Sequence, residues 1–152
     1  MDFADAFKQL YVAEGERKHL GGRALGGAFC YRTVLFGVRC GPLLWGRVAA
    51  ILMRMTMAVC VSDLVRLQCF VDDPIMTVGG SLKRRRHSMA RAVILWLSVG
   101  AELSWKKRQV GQDVCWIGAQ VKPWTATLGV RGVRVGISQQ RIEKLKKLVR
   151  SC

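Results

Sequence analysis

Acidic residues are scarce in this chain: 10 Asp and Glu stand against 25 Lys and Arg in 152 residues, a formal net charge of +15. That imbalance disfavours acidic partners and attracts polyanions, nucleic acid first and an anionic membrane surface second. Proline occurs only three times, and no internal repeat or low-complexity segment stands out, which argues against disorder. Histidine is nearly missing. With only His19 and His87, and with Cys30, Cys40, Cys60, Cys69, Cys115 and Cys152 forming no C-x-x-C pair, a zinc fold is not expected. Asp2 follows Met1 at once where a secretory signal would carry a basic region and an apolar core. The thiols are therefore expected to be free and buried, in an intracellular chain of the cytoplasm or nucleus that is not secreted. The apolar runs read as too short to span a bilayer, so no membrane partner is expected.

What is present is 51% hydrophobic content over the length of one domain, enough for a globular core. The most informative stretch is Gln68-Cys69-Phe70-Val71-Asp72-Asp73, where an apolar run ends in two adjacent carboxylates. Neighbouring strand residues point to opposite faces, whereas a hairpin tip can turn both acids toward a divalent cation. Taken alone, such a string before Pro74 is more often a turn than a metal site. Its surroundings decide between the two.

In chain order, residues 12–27 carry two glycine pairs, Gly21-Gly22 and Gly26-Gly27, and read as an exposed connection. They lack the Lys-Ser/Thr ending of a phosphate-binding loop. A strand is expected over 28–36, a turn over 37–42 and a helix over 43–61 whose apolar side holds Leu44, Val48, Ile51, Leu52, Met55 and Val59. A second strand over 64–71 can pair with a return strand over 74–78, Asp72 and Asp73 lying at the bend. Ser81 is a suitable N-cap for a helix to about Val99, which opens with Lys83-Arg84-Arg85-Arg86-His87. Basic charge in a first helical turn opposes the macrodipole, so this run reads as a nucleic-acid contact, with nuclear targeting as another use. Residues 101–110 read as a link, 114–121 and 128–135 as strands, and Ser138 as the cap of a basic helix with Ile142, Leu145, Leu148 and Val149 facing inward. This order predicts an α+β fold: a split βαβ (ferredoxin-like) antiparallel sheet with helices on one face, plus a C-terminal β-hairpin and helix. In such a sheet an early strand at Asp2 can lie beside the Asp72-Asp73 hairpin.

These residues resemble the palm of a reverse transcriptase, an RNA-directed DNA polymerase of retrotransposons. Asp2-Phe3-Ala4-Asp5-Ala6-Phe7 is similar to the first palm motif, and the segment from Phe29 through Gly37 to Gly41-Pro42 to the second. Phe70-Val71-Asp72-Asp73 is similar to the aromatic-x-Asp-Asp signature. Gly100 to Lys107 resembles the Gly-Leu-x-Leu-x-x-x-Lys segment, and Cys115-Trp116-Ile117-Gly118 the aromatic-Leu-Gly grip. The resemblance places the palm over 1–121 and a palm-to-thumb connection with the basic helix over 122–152. It implies that Asp2, Asp72 and Asp73 hold two Mg²⁺ (or Mn²⁺) ions, with the carbonyl of Phe3 as a further ligand. Two such ions can stabilise charge on both the attacking and the leaving oxygen of nucleotidyl transfer.

By the same resemblance Phe7 lies under the sugar of the incoming deoxynucleoside triphosphate. Gly37 lets the backbone approach the template base or nucleotide, and Lys107 (or Lys106) sits near the triphosphate. Trp116 and Gly118 would hold the primer strand of an RNA/DNA template-primer, and Arg32, Arg39, Lys83, Arg84, Arg85 and Arg86 its phosphates. This sequence departs from the family at Pro74, which removes an N–H from the return strand and predicts shortened pairing, and mildly at Phe70 in place of Tyr. Fingers, thumb and RNase H regions of a larger polyprotein are missing from these residues, so weak or no activity is expected from this chain alone. The alternative is a non-catalytic basic nucleic-acid-binding module derived from such a polymerase.

Overall fold

Two-residue turns set the local architecture. In a computed structural model, which describes residues 2–60, 64–125 and 131–150, three hairpins reverse within two residues each. Strands β2 (Gly21–Ala24) and β3 (Gly27–Cys30) pair around Leu25-Gly26, whose φ values are 51° and 78°. Positive φ at both turn residues matches the twist of the flanking strands. The glycine-rich stretch expected to be an irregular connection is thus partly a hairpin. It follows a 3₁₀ helix over Glu14–Leu20. The expected strand over 28–36 ends at Cys30, and beyond it only Thr33 makes a bridge, to Tyr11.

The chain divides into two compact units, 1–105 and 106–152. In the first, β1 (Asp2–Phe3) pairs antiparallel with β6 (Leu103–Ser104), joining the first residues of the chain to a stretch expected to be a link. The side chain of Gln9 reinforces that junction by donating to the Glu102 carbonyl at 3.1 Å and accepting from the Glu102 N–H at 2.9 Å. The second pair is β4 (Val65–Phe70) with β5 (Asp73–Val78), in full register from Val65↔Val78 to Phe70↔Asp73. Pro74 does not shorten this ladder. Pairs alternate between bonded and non-bonded, and Cys69↔Pro74, next to the turn-closing pair, is a position where β4 needs no N–H from its partner.

Two helices complete the unit: α1 (Gly41–Val59) and α2 (Leu82–Ser98). Pro42 lies in the first turn of α1, where its missing N–H is one that a helix leaves unbonded in any case, so the expected turn over 37–42 gives way to the helix before it ends. Ser81 caps α2, its Oγ accepting from the Arg84 N–H at 3.3 Å. The buried face of α1 is Trp45, Ala49, Leu52 and Thr56, a helical repeat shifted from the stripe that the sequence predicts. Leu44, Ile51, Met55 and Val59 are at least a third exposed. Tryptophan settles the difference, because Trp45 buries more apolar area than any aliphatic alternative and turns its own face inward. Phe3, Trp45 and Trp96 meet there, with ring centroids 5.4 Å apart for both Phe3 contacts.

By length and composition the 19-residue α1 is long and apolar enough to cross a membrane, which corrects the reading that no apolar run reaches that length. In this fold its buried face belongs to the core. Of the thiols, Cys60 is buried as expected, whereas Cys30, Cys40 and Cys115 are exposed; these and Cys69 are all free. Cys152 lies outside the described residues.

In the second unit β7 (Val114–Trp116), β8 (Ala119–Thr125) and β9 (Arg131–Ile137) form a three-stranded antiparallel sheet, followed by α3 (Gln139–Arg150). A single strand expected over 114–121 is therefore two strands folded about Ile117-Gly118. The first residues of the strand expected over 128–135 lie outside the described residues. On α3, Leu145, Leu148 and Val149 are exposed where the apolar stripe was expected to face inward. The whole chain is α+β, with helices and small antiparallel sheets.

Candidate functional site

The turn between β4 and β5 consists of Val71 and Asp72, one residue earlier than the expected Asp72-Asp73 bend, because Asp73 pairs with Phe70 and opens β5. Val71 takes a φ of 56°, a region that costs a β-branched residue steric energy and persists only where neighbours impose it. Two of those neighbours are visible. The Trp45 indole N–H donates to the Val71 carbonyl at 2.9 Å, and the Cys69 Sγ lies 3.3 Å from the same oxygen. Helix α1 therefore clamps the turn from below and fixes the backbone that carries Asp72.

A second tie brings β1 to the same place. The Phe3 N–H donates to the Asp72 carbonyl at 2.9 Å, so Asp2 and Phe3 run alongside the hairpin tip. Asp2, Asp72 and Asp73 are each partly buried. Their nearness shows in the Cys69 thiol, whose pKa is pushed from 9.0 up to about 12, first by burial and then by the negative charges of Asp72, Asp73 and Asp2. Asp2, Asp72 and Asp73 thus lie near one end of the hairpin, close enough for all three charges to act on Cys69. They do not form a preformed cage: among the described residues no group of three or more His, Cys, Asp or Glu is arranged to hold a metal ion. What the donor set does fit is a hard cation bound by one or two carboxylates, with water and substrate phosphates completing its shell, the mode Mg²⁺ commonly uses.

The other predicted site residues are spread more widely. Phe3 is 1% exposed, locked between Trp45 and Trp96, and its ring is part of the core. Phe7 follows on a 3₁₀ turn over Ala6–Gln9, buried and edge-on to Phe36 at 4.9 Å. Gly37, at φ 93°, opens into space: a Cβ there would meet nothing within 4 Å, so backbone conformation, not crowding, calls for glycine. Arg32 and Arg39 are exposed in the segment before α1. Lys83, Arg84, Arg85 and Arg86 open α2, at the far end of the hairpin from Asp72. Six residues of β5 at about 3.3 Å each put them roughly 20 Å from the acidic tip.

Lys107, Trp116 and Gly118 belong to the second unit. Lys106 and Lys107 end a 3₁₀ turn over Trp105–Lys107. Ile117 and Gly118 make the β7–β8 turn at φ 44° and 80°, and a Cβ on Gly118 would fall onto the guanidinium of Arg141, which lies against this turn. Sequence reasoning missed Trp45, Cys69 and Gln9. The one available signal was a tryptophan inside an otherwise aliphatic helix, since a buried indole N–H needs a partner.

No family model matches the chain, and no curated protein is similar to it in sequence. Solved structures do match. One is a foamy viral protease-reverse transcriptase in complex with an RNA/DNA hybrid, with a TM-score of 0.75 at 14% identity over 95% of this chain. The chain spans 18% of that protein's length. At such low identity the likeness is one of fold, and it shows that the chain has a reverse-transcriptase-like fold.

Proposed function

We propose that the chain is the palm portion of an RNA-directed DNA polymerase, a retroelement reverse transcriptase that acts together with fingers, thumb and RNase H regions of a larger protein. The observation that carries this reading is the hydrogen bond from the Phe3 N–H to the Asp72 carbonyl, which ties the Asp2 strand to the Val71-Asp72 turn. In the split βαβ arrangement of a palm, β1 and β6 would continue the β4–β5 ladder as one sheet, with α1 and α2 covering one face.

Asp2 and Asp72 would hold the cations and Asp73 would support them. Bound there, two Mg²⁺ or Mn²⁺ ions would supply charge stabilisation for the attacking 3′ oxygen and the departing pyrophosphate. The chain's own contribution is positioning. Trp45 fixes the turn through the Val71 carbonyl, and the buried Phe3 fixes the strand that presents Asp2. Cys69 stays protonated beside the carboxylates, so it adds no fourth negative charge. Phe7, which packs edge-on against Phe36, would form the surface under a deoxyribose, where its bulk would exclude a 2′-hydroxyl. Lys107 for the triphosphate, Trp116 and Gly118 for the primer, and Gly37, Arg32 and Arg39 for the template side are carried over from the motif resemblance.

A second reading has its own support. The lack of a preformed three-ligand metal group among the described residues, together with the +15 charge, suits a nucleic-acid-binding module that has kept the fold without the chemistry. Primer extension with Mg²⁺ or Mn²⁺ separates the two. Incorporation by the native chain that Asp72→Asn abolishes is the expected outcome for a polymerase, and equal incorporation by both sinks the metal assignment. No incorporation by either chain, with salt-dependent RNA binding retained, supports the binding module.

A further inference from the structure

The basic residues of α2 surround a cleft that the proposed polymerase site does not use. It measures about 300 Å³ and is walled by Lys83, Arg84, His87 and Arg91, with Ser81 and Ser88 between them and Cys60 at its edge. Arg84, His87 and Arg91 recur at helical spacing, so they lie along one face of α2. Nothing acidic lies in the first turn of α2 to offset them. Ion pairs at Lys8–Asp5, Lys122–Asp113 and Lys146–Glu143 lie elsewhere on the chain. The positive end of the α2 dipole opens at the same place. Three cations, a histidine and a helix N-terminus therefore face one hollow, an arrangement that attracts an anion.

We propose that this cleft is an anion site, specific for a phosphate carrying two or more charges: a free pyrophosphate or the terminal phosphate of a nucleic-acid strand. A cleft of about 300 Å³ has room for a pyrophosphate. Arginine suits this ligand because its planar fork binds phosphate oxygens in pairs, and the Ser81 and Ser88 hydroxyls add neutral donors at the wall. The site lies at the opposite end of the β4–β5 hairpin from Asp72. It is thus separate from the carboxylates and independent of any divalent cation.

Calorimetric titration of the full chain with inorganic pyrophosphate, in buffer containing EDTA, tests this. One pyrophosphate per chain is expected, with affinity falling about tenfold or more in Arg84→Gln/Arg91→Gln and unchanged in Lys146→Gln, which alters charge on α3. Asp72→Asn should bind pyrophosphate as the native chain does, so loss of the polymerase reading leaves this result intact. Octanucleotides with a 5′-phosphate or a 5′-hydroxyl identify the source. Tighter binding of the phosphorylated strand by the native chain alone assigns the terminal phosphate, and equal binding of both strands assigns the free anion. Pyrophosphate binding by the double variant at native affinity, or no binding by a chain with native circular dichroism, overturns the proposal. Should the double variant lose its native spectrum, the exposed Lys83→Gln decides instead, a weaker affinity supporting the site and an unchanged one overturning it.

Discussion

Cys69 records the electrostatics of the hairpin tip. Its thiol is partly buried and faces three carboxylates, so ionising it would place a fourth negative charge among them, and its pKa rises from 9.0 to about 12. A thiol whose folded pKa is raised contributes stability that is complete below pH 9 and is lost as pH climbs toward 12. The free energy of unfolding should therefore decline over that window, and Cys69→Ala should show a shallower decline than the native chain in denaturant titrations at stepped pH. An identical slope in both chains would mean that the carboxylates do not gather around this residue. The same shift predicts selectivity toward alkylating reagents at pH 8, with the exposed Cys30, Cys40 and Cys115 reacting well before Cys69.

At the scale of elements, α1 and α2 are joined by a buried polar contact inside an otherwise apolar interface. Thr56 is fully buried. Its Oγ1 donates to the Leu52 carbonyl at 2.7 Å and accepts from the Trp96 indole N–H at 2.7 Å. Both hydroxyl functions are therefore used, and Trp96 is held where its ring can meet Phe3. Thr56→Val keeps the shape but leaves the Trp96 N–H buried without an acceptor, at a cost of about 1–3 kcal/mol. Thermal unfolding should show the loss, whereas Thr56→Ser, which keeps the hydroxyl, should cost less. Equal destabilisation by both would assign the effect to packing of the methyl group instead of to the hydrogen bond.

At the scale of the whole molecule, charge dominates. With a net charge of +15, the chain should bind single- and double-stranded nucleic acid largely through phosphates, and log K should fall linearly with log salt. If about six phosphates are contacted, affinity for an RNA/DNA hybrid should drop roughly a thousandfold between 50 and 200 mM salt in fluorescence anisotropy. A flat salt dependence would contradict both the polymerase and the binding-module readings, since each relies on the same electrostatic attraction.

Local rules of short range were legible in the sequence. The β4–β5 hairpin to within one residue of its turn, the Ser81 cap, and the extents of α1 and α2 to within two or three residues follow from turn chemistry, capping and apolar periodicity, which act between near neighbours. Pairing of β1 with β6 was not legible, because two-residue strands carry no periodicity and their partners lie about a hundred residues apart. The inward face of α1 was equally hidden, since its helix is apolar nearly all round and only the packing of Trp45 against Phe3 and the Val71 carbonyl selects one side. By itself, then, the sequence determined a hairpin bend that carries two adjacent carboxylates. Only the tertiary structure decided that the Asp2 strand runs beside that bend, because this depends on a backbone hydrogen bond from Phe3 to Asp72 and on a helix placed to hold the turn.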